Sequence, residues 1–242
     1  RVYTWASFVK FEHTLFSLPL LYAGAVIAAG TFPDLRTALW ILGGGTGART
    51  AAMGLNRIID RNIDARNLRT EVRELPRGTM NLAEAWGIVG TGLALYLLSC
   101  FMLSPFALSL SPVPLIVFVI YPYMKRFTSL AHFGVGTALA LAPLGGFIAV
   151  TGSISDSTAV LWLAAFTLLW VAGFDIIYAT LDIEFDRTEG LRSLPVWLGR
   201  HTALGVSMFT HLLAIGCLVG LFIEDLSGGL AITGIMVTGV VL

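Results

Sequence analysis

"NRIIDRNIDARNLRT" (residues 56–70) follows a long apolar segment, yet it carries two carboxylates and four arginines. Asn56, Asp60 and Asp64 are four residues apart, so on a helix their side chains would lie above one another on one face. Acidic side chains at the edge of an apolar segment are costly to place there and are therefore functional candidates. We expect a polar ridge at the end of a hydrophobic helix.

The composition around this stretch is that of a membrane protein. The chain has 242 residues, of which 56% are hydrophobic and 12% are charged, and its mean hydropathy is +0.82. A soluble domain carries roughly 25% charged residues. Because lipid offers no partners to backbone polar groups, apolar runs of about 20 residues predict spanning helices. We predict an all-α polytopic membrane protein with eight visible spans and a ninth expected beyond them; the eight are 14–31, 36–57, 83–103, 107–124, 131–151, 158–180, 203–223 and 229–242.

Lysines and arginines between the spans predict the orientation. Thirteen of the fifteen fall on one face, while Arg36 falls on the other and Arg49 lies inside the second span. Since cytoplasmic loops carry the excess of basic residues, this face is expected to be cytoplasmic, in a multi-pass protein of the cell (inner) membrane. The net charge of zero gives no reason to expect nucleic acid as a partner.

A second acidic stretch, "DIIYATLDIEFDRTEG" (175–190), stands at the end of the sixth predicted span and continues into the following loop. Its oxygen-bearing side chains recur at helical spacing and predict a second ridge: Asp175, Tyr178, Asp182 and Asp186. Four spans separate the two stretches, which places both at the same membrane face. The repetition also predicts a single domain built from two four-helix halves, about 1–127 and 128–242.

Five carboxylates and an amide facing one cavity would repel one another unless cations intervened. Hard oxygen ligands without histidine or cysteine favour Mg²⁺, which commonly bridges carboxylates to substrate phosphates. The alternative interpretation is that these carboxylates are loop charges paired with neighbouring arginines. Two ridges on one face favour the metal site.

Three basic residues admit two interpretations each. Arg49 precedes Asn56 by seven residues, about 10 Å deeper along the same helix face, where it could hold an anionic group or form a structural ion pair. Lys125 and Arg126, in "YPYMKRFT" (121–128), could anchor the fourth span at the interface or bind a diphosphate.

These motifs resemble those of a known family. "NRIIDRNIDARN" and "DIIYATLDIEFD" are similar to the two aspartate-rich motifs, NxxxDxxxD and DxxYxxxDxxxD, of the UbiA-type intramembrane prenyltransferases. "KFEHTLFSLP", "YPYMKRFT" and "EGLRSLPVWLG" also resemble stretches of that family. Within it, the chain looks most like the 4-hydroxybenzoate polyprenyltransferases of quinone biosynthesis.

The resemblance implies nine spanning helices around a central cavity capped by the motif-bearing loops. It implies Mg²⁺-dependent transfer of an isoprenyl chain from its diphosphate to a small aromatic acceptor, within membrane lipid and without an obligate protein partner. The implied metal ligands are Asn56, Asp60, Asp64, Asp175, Asp182 and Asp186. Lys125, Arg126 and Arg66 would bind the diphosphate, Arg49 would hold the acceptor's carboxylate and Tyr178 would orient the reactants. We therefore expect catalytic roles for Asp60, Asp64, Asp182, Asp186, Arg49 and Tyr178.

Other functions stay open at this point. Glycerol-phosphate lipid, dihydroxynaphthoate and haem are alternative acceptors within the family. A transporter would also show an internal repeat and membrane-embedded charges, although here the carboxylates cluster at one interface. A CDP-alcohol phosphotransferase would show "DG" ahead of "AR", where this chain has "DRNIDAR".

Overall fold

The computed structural model describes residues 2–10 and 14–224. Within these ranges it contains eleven α-helices and no β-strand, which confirms the predicted all-helical class. The helices are α1 (Val2–Phe8), α2 (Thr14–Ala29), α3 (Leu35–Asp64), α4 (Leu82–Leu103), α5 (Pro105–Leu110), α6 (Pro112–Met124), α7 (Ala131–Thr151), α8 (Thr158–Ala179), α9 (Ile183–Thr188), α10 (Leu194–Leu198) and α11 (Arg200–Glu224).

Five segments of the described chain are long and apolar enough to cross a membrane: α4, α5 with α6, α7, α8 and α11. The apolar part of α2 is shorter, covering Ser17–Ala29, and α3 contains Arg49 among glycines and threonines. The eighth predicted span, 229–242, lies outside the described residues. The number of eight spans therefore stays a prediction.

The first acidic ridge is an extension of the helix that carries it. Asp34 begins α3 by accepting hydrogen bonds from the backbone N–H groups of Arg36 and Thr37. The helix then runs for 30 residues, about 45 Å at the α-helical rise, and so continues beyond the predicted end at 57. Asp60 and Asp64 consequently stand on its last two turns.

The second acidic stretch departs from the single helical ridge that its spacing predicts. α8 ends at Ala179, Asp182 directly precedes α9, and Asp186 lies on α9. At this helix end the Thr180 hydroxyl donates to the Ile177 carbonyl at 2.7 Å, a bond that competes with the helical backbone pattern. The predicted continuous ridge is wrong, although its residues still come together as described below.

The fourth predicted span is also broken, between α5 and α6. Pro112 is the first residue of α6, and proline lacks the N–H that would continue the preceding helix. Hydropathy alone does not register such a break.

Close backbone contacts hold the bundle together. α2 packs on α7, α7 on α8, and α8 on α11, while α3 packs on α4 and α6. A Cβ at Gly146 of α7 would lie 1.8 Å from the Leu21 carbonyl oxygen on α2, and a Cβ at Gly47 of α3 would lie 2.6 Å from the Tyr96 nitrogen on α4. Glycine at these positions lets the helix backbones approach.

The connecting segments meet at one end of the bundle, where both motifs lie. Asn67 donates to Asp182 at 3.1 Å across two of these segments. The backbone N–H of Arg192 donates to the Lys125 carbonyl at 2.7 Å, which adds the segment after α6. Together they form a cap over the ends of α3, α6, α7 and α8.

Candidate functional site

A cavity of about 240 Å³ lies beneath this cap. It is lined by the ends of α3, α6, α7 and α8 and by the segments that follow α3 and α8. Eight of the predicted site residues contribute to its wall: Asn56, Asp60, Asp64, Lys125, Asp175, Tyr178, Asp182 and Asp186. The two acidic stretches, distant in sequence, thus share one cavity.

Asp60 is the buried acid at the centre of the α3 side. Its side chain is 4% exposed, and Lys125 Nζ lies 2.7 Å from Oδ2. Asn56 Nδ2 approaches the same oxygen at 3.5 Å, whereas Arg126 lies 3.8 Å from Oδ1. Oδ1 is buried and has no hydrogen-bond partner among the described residues, which leaves it able to accept a further donor or a cation.

Asp64, one helical turn further along, is held by Arg73. A single guanidinium nitrogen of Arg73 lies 2.8 Å from Oδ1 and 2.7 Å from Oδ2 of Asp64. The hydroxyl of Thr70 donates to the Asp64 carbonyl at 3.1 Å. These contacts fold the chain after α3 back over the cavity.

Asp182 of the second stretch is held by the same segment. Asn67 donates to its Oδ1 at 3.1 Å, and the guanidinium of Arg69 bonds both of its oxygens. Partial burial acts to raise the pKa of Asp182, but the hydrogen bonds from Arg69 and Asn67 outweigh it and hold the pKa below its ordinary value. The segment after α3 therefore joins both motifs.

The pKa of Asp186 is shifted in the opposite direction from that of Asp182. Burial, and then the nearby charge of Asp182, raise the pKa of Asp186 to about 6, against opposing effects of Lys125 and Ser193. Like charges in one site disfavour ionisation of the second carboxyl. A bound cation would relieve this repulsion.

Asp175 stands on α8 and is bonded by a buried histidine. Nδ1 of His132 lies 2.6 Å from Asp175 Oδ2, and Nε2 of the same ring accepts the backbone N–H of Leu194 at 3.2 Å. Tyr178, one turn further along α8, is 63% exposed and reaches the cavity rim.

The donor set suits a hard divalent cation. The described residues contain no group of three His, Cys, Asp or Glu side chains close enough to hold an ion together; Asp60, Asp64 and Asp182 are paired with basic side chains. Mg²⁺ commonly uses only one or two carboxylates, with water and substrate phosphate completing its shell. The unpartnered Oδ1 of Asp60 and the repulsion at Asp186 both fit such an ion.

Three other predicted residues lie outside the cavity wall. Arg126 donates to the Ile59 carbonyl at 3.0 Å, and its guanidinium lies 4.7 Å from the centre of the Tyr123 ring. Arg66 pairs with Glu189 at 2.7 Å. Arg49 is partly buried in α3, and its Nε has no hydrogen-bond partner among the described residues.

The structure adds residues that the sequence interpretation did not select: Asn67, Arg69, Arg73, His132 and Ser193 all line the cavity. Arg69 and Arg73 belong to a run of six arginines after the second predicted span, and spacing gave no reason to prefer these two. His132 is an isolated histidine whose partner is 43 residues away.

Comparison with known proteins identifies the family. The model of the UbiA prenyltransferase family matches residues 17–242. The chain belongs to this family. The predictions of a prenyltransferase and of an integral membrane protein are thereby confirmed, and the transporter and phosphotransferase alternatives are set aside.

Individual relatives agree with this membership. A 4-hydroxybenzoate solanesyltransferase of Synechocystis is 35% identical over 208 residues, which cover 83% of this chain and 68% of the relative. The chain thus spans about two thirds of the length of the curated relatives it matches. An apo structure of a UbiA homologue from Aeropyrum pernix K1 has a TM-score of 0.90 and 37% identity, covering 95% of this chain and 86% of the other.

A more distant structure agrees in fold. It is a UbiA homologue from Archaeoglobus fulgidus bound to GPP and Mg²⁺, with a TM-score of 0.75 and 19% identity, covering 98% of this chain and 85% of the other. At that identity the likeness is evidence for the fold alone.

Proposed function

We propose that the protein transfers an isoprenyl group from a polyprenyl diphosphate to 4-hydroxybenzoate, with Mg²⁺, in the biosynthesis of a quinone-type lipid. The observation that carries the proposal is the convergence of both acidic motifs on one cavity that also holds cationic side chains. The names of the 4-hydroxybenzoate prenyltransferases among its relatives support this acceptor.

The cationic side chains of the cavity suit a diphosphate. Lys125, Arg69 and Arg73 present N–H donors beside the carboxylates of Asp60, Asp182 and Asp64. Such charge-assisted bonds strengthen as the leaving diphosphate gains charge, so they favour cleavage of the allylic C–O bond. Mg²⁺ held by Asn56, Asp60, Asp64, Asp175, Asp182 and Asp186 would add positive charge at the leaving group. Arg66 and Arg126, at the edge of the cap, would attract the incoming diphosphate.

The acceptor is assigned to the α3 side, deeper than the acids. Arg49 has a buried guanidinium nitrogen without a partner among the described residues, and an unpaired buried donor is costly. The carboxylate of 4-hydroxybenzoate would supply the acceptor oxygen, with Tyr178 orienting the reactants near the rim. The ring carbon then forms a bond to C1 of the isoprenyl chain, the C–O bond to diphosphate breaks, and the ring loses a proton to restore aromaticity.

The surroundings suit an isoprenoid donor. Its tail is as apolar as lipid, so it can extend from the cavity along the spanning helices into the bilayer. The basic residues at the motif-bearing end favour a cytoplasmic position for the site, in the inner membrane. The division into two four-helix halves stays a prediction.

The test is product formation by the purified protein in detergent. The protein is given geranyl diphosphate and Mg²⁺ with 4-hydroxybenzoate, dihydroxynaphthoate or a glycerol-phosphate lipid, and products are identified by mass spectrometry. We expect one added prenyl group on 4-hydroxybenzoate and none in EDTA. Product with another acceptor alone would overturn the proposed acceptor, and no product from folded protein would overturn the proposed reaction.

A further inference from the structure

We propose that His132 is a positioning residue that fixes the carboxylate of Asp175 in the cation site and ties it to the start of α10. The inference rests on the proposed function, since it assigns a role within the same site. It is carried by the two hydrogen bonds of one buried imidazole ring.

The ring of His132 is 3% exposed and uses both of its nitrogens. Leu194 offers a backbone N–H, which can only donate, so Nε2 of His132 is the acceptor in their 3.2 Å bond. The proton of the ring then lies on Nδ1, which donates to Asp175 Oδ2 at 2.6 Å. The bond to Leu194 therefore selects the tautomer that can hold Asp175.

The same ring joins Asp175 on α8 to the start of α10. Leu194 is the first residue of α10, and its neighbour Ser193 is buried and lines the same cavity as Asp186. His132 thus contacts Asp175 directly and bonds the start of α10, next to a residue that lines the cavity with Asp186. It stands on α7, which contributes no acid to the cavity wall.

A carboxylate that binds a metal is commonly oriented by a hydrogen bond from outside the coordination shell. Loss of such a partner typically lowers metal affinity ten- to a hundredfold. Without the Nδ1 donor, Asp175 is free to rotate on the partly exposed side of the cavity, where its side chain is 38% exposed. His132 would therefore act on the Mg²⁺-dependent part of diphosphate binding.

The experiment measures the dissociation constant of inorganic diphosphate by calorimetry, once with excess Mg²⁺ and once in EDTA, without turnover. His132→Gln keeps an acceptor near Nε2 for Leu194 but removes the donor to Asp175, whereas His132→Asn keeps a donor near Nδ1. His201→Gln is the control, because His201 is exposed on α11 and does not line the cavity.

We expect His132→Gln to weaken diphosphate binding ten- to a hundredfold in Mg²⁺ and less than threefold in EDTA, while His132→Asn and His201→Gln stay within threefold of the wild type in both. General damage to the site would change both constants alike, and that result would overturn the inference. The inference would also be overturned if Mg²⁺ strengthened diphosphate binding by His132→Gln as much as by the wild type. The same holds if Mg²⁺ no longer strengthened diphosphate binding by a folded His132→Asn protein. If His132→Gln does not fold, the comparison of His132→Asn with the wild type tests the role of His132.

The wild type separates the two proposals. If Mg²⁺ does not strengthen diphosphate binding by the unaltered protein, the proposed function fails at its metal site. If the wild type shows the gain and the histidine variants do not alter it as expected, only the role of His132 fails. A double variant with Asp175→Asn adds a check, since the effect of His132→Gln should vanish when Asp175 is already neutral.

Discussion

Lys125 Nζ lies 2.7 Å from Asp60 Oδ2 and joins the end of α6 to the end of α3 across 65 residues of sequence. The sequence interpretation placed these two side chains on different ligands, one on the diphosphate and the other on the metal. In the structure they bind each other. Asp64 and Asp182 are likewise paired with basic side chains, those of Arg73 and Arg69. Basic side chains therefore balance the charge of these three acids in the structure.

Replacing Lys125 by alanine should impair donor binding. The variant loses a charge-assisted hydrogen bond worth about 1.5–3 kcal/mol, so KM for geranyl diphosphate should rise about ten- to a hundredfold in a steady-state assay. It also leaves the buried Asp60 without its cation, and Tm should fall in the absence of Mg²⁺ and partly recover when Mg²⁺ is added. Arg36→Ala, an exposed change at the other end of α3, is the control. An unchanged KM in the Lys125 variant would remove it from the diphosphate site.

Arg49→Ala should act on the acceptor rather than on the donor. We expect KM for 4-hydroxybenzoate to rise at least tenfold because an ion pair to the carboxylate is lost, with Arg49→Lys retaining part of the affinity. An electron-rich phenol without a carboxylate is the control substrate, and its KM should not change. If both acceptors respond equally, Arg49 does not bind the carboxylate.

Metal removal should abolish the reaction reversibly. Oxygen ligands around a diphosphate select a small hard cation, so dialysis against EDTA should reduce turnover at least a hundredfold, and Mg²⁺ or Mn²⁺ should restore it more effectively than Ca²⁺. Turnover is followed by mass spectrometry at each metal concentration. Persistent activity in EDTA would contradict the metal site.

Two adjacent glycines in α7 should respond oppositely to alanine. At Gly146 a Cβ would meet the Leu21 backbone oxygen at 1.8 Å, whereas at Gly145 it would meet only the end of the Leu21 side chain at 3.8 Å. Overpacking against backbone costs about 1–3 kcal/mol, so Gly146→Ala should lower Tm by several degrees in detergent. Gly145→Ala should leave Tm unchanged or raise it slightly, since alanine favours helix. Equal effects of the two changes would contradict the close contact of α2 with α7.

The sequence predicted structural features correctly where hydropathy or residue spacing within one helix determines them. α7 begins and ends where hydropathy places it, and Asn56, Asp60 and Asp64 share the cavity as their spacing predicts. A signal that competes locally was missed, namely the break before Pro112 within the fourth predicted span.

The partners of the acids could not be predicted, because each is chosen by the fold. His132 reaches Asp175 only when α7 lies against α8, and Arg69 reaches Asp182 only when the cap closes over the cavity. Spacing within one helix contains no information on such contacts. The same limit applies to Arg49, whose depth follows from the sequence but whose ligand does not.

We propose that acids from both motifs serve one prenyl-transfer site. The most direct test compares Mg²⁺-dependent product formation from geranyl diphosphate and 4-hydroxybenzoate in the wild type, Asp60→Asn and Asp182→Asn, with Tm measured on each. Glu184→Gln is the control, because its side chain is 86% exposed. We predict that each aspartate variant folds and loses at least a hundredfold in turnover, while the control does not. Turnover within a few-fold of the wild type in either folded aspartate variant would contradict the shared site.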